Sequence, residues 1–162
     1  APNRLPHERP ANAAATVARP LTIDHRLSTV RRVILGVLLL GMTGLLTELS
    51  LLGHYEDSKQ WIPLAVLAAG LAAVGLQLVH PRRWTLGVVR LMMVLFIASG
   101  LLGMYFHYQG SKEFQLEMDP SMNGTDLVWE VLQAKSPPTL SPGTLVQMGI
   151  LGLGYAYLRR TE

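Results

Sequence analysis

Residues 33–52 read VILGVLLLGMTGLLTELSLL. A helix of this composition is apolar on every side, and its length matches the roughly 20 residues needed to cross the hydrocarbon layer of a bilayer. A water-soluble helix would carry a polar back. Three further stretches, Trp61–Val79, Leu86–Phe106 and Thr144–Leu158, have the same character, and the four together hold only two formal charges, Glu48 and Arg90. The chain averages, 49% hydrophobic and 15% charged over 162 residues with a net charge of +3, conceal this segregation. The reading is an all-α integral membrane protein, a four-helix bundle with spans over 33–52, 61–79, 86–106 and 142–158. The absence of cysteine excludes disulfide staples, thiolate metal sites and haem attached through paired cysteines.

Residues 1–32 form a tail rich in Ala, Pro and Arg, without apolar periodicity and so of disordered type. It has neither the apolar run of a secretory signal nor the amphipathic pattern of a transit peptide, and a start at Ala1 fits removal of an initiator Met. Such a tail stays mobile unless tied down, and a neighbouring subunit is the expected tether.

Orientation follows from the basic residues, which are retained on the cytoplasmic side. Arg4, Arg9, Arg19, Arg26, Arg31 and Arg32 precede the first span, Arg82 and Arg83 separate the second and third, and Arg159 and Arg160 follow the fourth. The other two connections carry Glu56, Asp57, Glu113, Glu117, Asp119, Asp126 and Glu130 against Lys59, Lys112 and Lys135. Four spans with both termini in the cytoplasm satisfy every loop, and a bacterial cytoplasmic membrane is the expected location. Arg31, Arg32, Arg82, Arg83, Arg159 and Arg160 are expected to contact lipid headgroups, and they account for the basic balance without nucleic acid. The long outer loop 108–141 is expected to carry a short interfacial helix, Asp126–Gln133, capped by Thr125 and bearing Trp129. Ser141 is then the expected N-cap of the last span, with Pro142 at its first position. Asn123-Gly124-Thr125 matches a glycosylation acceptor and equally a turn.

A carboxylate within a span is costly and usually faces protein or a water-filled cavity. Gly36, Leu40, Gly44 and Glu48 recur every fourth residue and share one helix side, where small residues permit close contact. Glu48 is therefore expected to meet Gln147 of the fourth span, either as a helix-locking hydrogen bond or as a proton or cation site. Arg90 lies too near the opposite end of its span to reach Glu48, so Gln77 or a lipid phosphate is its expected partner. Other small pairs four apart, Ala69 with Ala73, Ser99 with Gly103 and Gly152 with Ala156, offer further contact faces.

The two halves of the chain run alike: Arg-Arg, span, His-Tyr, acidic connection, span, Arg-Arg. This weak parallel repeat places His54 and His107 at equivalent positions, where they are headgroup-layer anchors or candidate ligands for haem, chlorophyll or a metal ion. No phosphate-cradling glycine loop, nucleophile elbow or HExxH is present, and no catalytic set can be assembled.

With His54-Tyr55-Glu56-Asp57, Trp61-Ile62-Pro63-Leu64, His107-Tyr108-Gln109-Gly110, Phe114, Glu117 and Met118, the chain resembles a group of small bacterial multi-span proteins of no assigned activity. That resemblance implies fold and location only. In its four spans and first-span carboxylate it also resembles the small multidrug exporters, but those are shorter, have tight loops and place their Glu nearer mid-membrane. The leading functional expectation is a non-catalytic accessory subunit of a larger membrane assembly, with photosynthetic reaction-centre and respiratory complexes as candidate hosts. A small proton-coupled transporter using Glu48 and a cofactor-binding subunit using His54 or His107 are the alternatives.

Overall fold

The computed structural model describes residues 11–134 and 138–159, with side chains from residue 25 onward. The described residues form five α-helices, α1 (Ala11–Leu51), α2 (Trp61–Val79), α3 (Arg83–Met118), α4 (Gly124–Gln133) and α5 (Gly143–Leu158), and a single 3-10 turn at Ser58–Gln60 leads into α2. No strand occurs among them. Three segments, His25–Leu51, Ser58–Val79 and Arg83–Met118, are long and apolar enough to cross a membrane.

The fourth apolar segment is shorter. At 16 residues, α5 measures about 24 Å, less than the roughly 30 Å hydrocarbon core. It packs most extensively on α3, and also on α1. The α3–α5 seam closes tightly because a Cβ at Gly149 would stand 2.6 Å from the Met93 carbonyl oxygen, so only glycine lets the two backbones approach this far. Around this seam Leu38, Met42, Leu67, Val74, Val89, Met93 and Phe96 are fully buried and form the core.

Both expected boundaries of the first segment move. Helix α1 begins at Ala11, so residues 11–32 are helical and not an unstructured tail, whereas residues 1–10 lie outside the described residues. Alanine-rich sequence favours the helix intrinsically, and a helix needs no core of its own when it continues one that has one. At the other end Gly53 adopts φ +67°, with His54 N–H donating to Leu49 O (2.9 Å) and Gly53 N–H to Ser50 O (3.3 Å). This is a Schellman stop, and it ends α1.

The outer loop expected over 108–141 is corrected more substantially. Helix α3 runs on to Met118, a total of 36 residues and about 54 Å, so its last third extends well past a membrane span. Nothing from Gly103 to Met118 breaks a helix, and α4 packs against α3, burying its own Leu127 and Val131 while Ser111 is buried on α3. Asp119 and Pro120 then stop it, with Asp119 Oδ1 accepting from Ser121 N–H (3.0 Å) and Oγ–H (2.6 Å). The short amphipathic helix is present, but Thr125 does not cap it. It starts at Gly124 (φ +60°) after Asn123, which makes no capping side-chain bond. Likewise Pro142 occupies the N-cap of α5, and the Ser141 side chain makes no cap.

Candidate functional site

The chain has two chemically distinct ends, a basic one at the α2–α3 turn with Arg82 and Arg83, and an acidic one at the α1–α2 turn with Glu56 and Asp57. Between them, α1 faces inward with Leu38 and Met42, while Leu35, Leu45 and Leu49 pack beside them. Gly36, Leu40, Gly44 and Glu48 therefore point away from the other helices. All four are exposed, Leu40 by 77%, and a Cβ added at Gly36 or Gly44 would meet nothing within 4 Å. On α1, Leu38 and Met42 take the inward positions, which leaves Gly36 and Gly44 outside. It is Gly41, off this line, that receives Met148 of α5.

The expected meeting of Glu48 with Gln147 does not occur. Both residues are exposed, and no hydrogen bond joins them among the described residues. Neighbouring hydroxyls are satisfied within the helix, Thr47 donating to Thr43 O (2.9 Å) and Ser50 to Leu46 O (2.7 Å). The Glu48 carboxylate has no hydrogen-bond partner among the described residues.

At the basic end, Gln77 is 1% exposed and its partner is Thr85, not Arg90. The Thr85 hydroxyl sits between Gln77 Oε1 and the carbonyls of His80 and Arg82, each at 2.8 Å, and accepts from Arg82 N–H (3.0 Å). One buried hydroxyl thus closes the α2–α3 turn. Arg90 Nη2–H instead donates to Ala156 O of α5 (3.3 Å), where a cation complements the negative end of the helix dipole. Arg159 Nη1–H donates to the hydroxyl of the buried Tyr155 (2.7 Å). Arg31 and Arg159 are half-buried, Arg32, Arg82 and Arg83 are exposed, and Arg160 lies outside the described residues.

At the acidic end the charge of one histidine is felt by the other. Burial holds the His54 imidazole below its ordinary pKa of 6.5, and the charge of His107 adds to that effect. His107 Nδ1–H donates to Pro138 O (3.0 Å), fastening the segment that returns from α4 to α5, and Thr139 Oγ–H donates to Val131 O (2.7 Å) at the end of α4. Lys59 Nζ stands 5.0 Å from the Phe106 ring centroid, tying the α1–α2 turn to α3. Among the described residues no three His, Cys, Asp or Glu side chains are grouped as a metal site.

Thr85, Thr139 and Tyr155 are the polar residues that sequence reading passed over. Thr85 carried a usable signal, since it lies three residues after Arg82 at the start of a helix, where a hydroxyl can bond back to the free backbone N–H. Tyr155 also had a local one, the four-residue spacing to Arg159, whereas Thr139 bonds back over the connection to Val131 and left none. No family model, curated protein or solved structure matches the chain.

Proposed function

We propose that the chain is a non-catalytic accessory subunit of a larger membrane complex. It crosses a bacterial cytoplasmic membrane with α1, α2, α3 and the short α5, and it keeps both termini on the cytoplasmic side. The observation that carries this reading is the outward stripe of α1. Only 11% of the apolar window of α1 is buried, against 33% for α2 and for α3. Within that exposed surface sit two glycines that admit a close helix and one carboxylate with no hydrogen-bond partner among the described residues. In hydrocarbon, an ionisable group is retained when another polar group meets it. The occupant is a transmembrane helix of another subunit that approaches over Gly36 and Gly44 and offers Glu48 a hydrogen-bond donor.

The test is extraction in mild detergent followed by sizing and identification of what accompanies the chain, with photosynthetic and respiratory assemblies as the hosts to look for. A stoichiometric partner that is lost on Gly44→Leu and retained on Gly75→Leu supports the reading. A chain that runs alone, or a partner indifferent to Gly44→Leu, contradicts it. Glu48→Gln separates a locking role from a proton-carrying one: the amide can still hydrogen-bond a partner, so assembly survives, while any proton transfer through this position stops.

A further inference from the structure

The basic end of the bundle holds a second feature, independent of what covers α1. Helices α1 and α5 are antiparallel, with Gly41 against Met148 and Leu38 against Gly152. Continued two turns toward the basic end, this register sets Arg31 of α1 level with the C-terminal end of α5, where Arg159 is the residue that follows the last helical one. On α3, Gly100 faces Val146, Gly149 faces Ile97, and the Arg90–Ala156 hydrogen bond continues the same alignment. Arg90 and Arg159 therefore bond to the last turn of α5, and the register brings position 31 of α1 alongside it.

We propose that Arg31, Arg90 and Arg159 form a phosphate-binding site, occupied by the headgroup of an anionic phospholipid. Arg90 and Arg159 are each oriented by one bond to a neutral acceptor, Ala156 O and the Tyr155 hydroxyl. A guanidinium carries five N–H donors, so most remain available, and their planar fork matches phosphate oxygens. Helical side chains lean toward the helix N-terminus, which carries Arg90 over the turn containing Gly87. There α3 is bare, since a Cβ at Gly87 would meet nothing within 4 Å, and a headgroup has room to lie. Arg31 and Arg159 are half-buried, whereas Arg90, Arg32, Arg82 and Arg83 are exposed, and Arg90 is set apart from the last three by its bond to Ala156 O of α5.

The experiment uses the full chain in neutral detergent, with native mass spectrometry and thermal unfolding against added phosphatidylglycerol, phosphatidylcholine or inorganic phosphate. Phosphatidylglycerol is expected to be retained and to raise Tm, with phosphatidylcholine weaker and the difference shrinking in salt. Loss of one charge-assisted contact in Arg90→Gln should weaken phosphatidylglycerol about tenfold, with Arg32→Gln unchanged. Arg159→Gln, which leaves the α3–α5 bond in place, should weaken it comparably and serves if Arg90→Gln fails to fold. Competition by millimolar inorganic phosphate would show that free phosphate suffices, and its absence with lipid still retained would assign the site to lipid-borne phosphate. Equal retention of the two lipids, or an Arg32→Gln loss as large as that of Arg159→Gln, would overturn the proposal.

Discussion

The Arg90 guanidinium of α3 donates to the Ala156 carbonyl of α5 across 3.3 Å. It thus satisfies one of the carbonyls that the end of a helix leaves without an intrahelical partner. Replacing Arg90 with Met keeps the apolar stem and removes the donor, and it should destabilise the α3–α5 pair by about 0.5–1.5 kcal/mol. Thermal unfolding in detergent measures this, and hydrogen exchange should show the loss concentrated at 155–158.

Thr85→Val should be more damaging. It strips a partner from Gln77, which is 1% exposed, and leaves a buried amide unpaired at a cost of roughly 1–3 kcal/mol. Adding Gln77→Leu removes the stranded group as well, so the double variant should recover most of the loss. Additive losses in a double-mutant cycle would mean that the two side chains do not depend on one another.

Gly149→Ala should force α3 and α5 apart, because its Cβ would fall 2.6 Å from both Met93 O and Ile97 Cγ1. Overpacking of this kind costs about 1–3 kcal/mol. Gly154→Ala, on the same helix with nothing within 4 Å, should be neutral or slightly stabilising. Unfolding curves for the pair give the comparison directly.

The acidic end should weaken under acid. Burial, with His107 second, lowers the His54 pKa from 6.5, so the folded chain resists the proton that the unfolded chain accepts. Stability is complete above about pH 6.5 and is lost as pH falls from there through the lowered folded value. Protease sensitivity of the α1–α2 turn between pH 7.5 and 5 should rise in the native chain and stay flatter in His54→Gln.

The four apolar segments and the small amphipathic α4 were legible because their signals are local runs and spacings of apolar residues. The unread parts depend on neighbours. Leu51-Leu52-Gly53 and Leu101-Leu102-Gly103 are the same three residues, yet Gly53 takes a positive φ and ends α1, while Gly103 stays helical beside Pro142 and α3 continues to Met118. The difference lies in α4 and α5, far away in sequence. For Glu48, the four-residue spacing with Gly36, Leu40 and Gly44 correctly grouped the four on one face but could not say which way it points. Packing decided that, since Leu38 and Met42 gain more from the core than glycine would.

The most direct measurement concerns that face. A photoreactive side chain at position 40, whose Leu40 is 77% exposed, and one at position 94, whose Val94 on α3 is 51% exposed, can be compared in native membranes. The account predicts that position 40 forms a defined adduct with a second polypeptide, lost in Gly44→Leu, while position 94 captures lipid. Lipid adducts alone from both positions would mean that α1 simply faces the bilayer, and the accessory-subunit reading would fall.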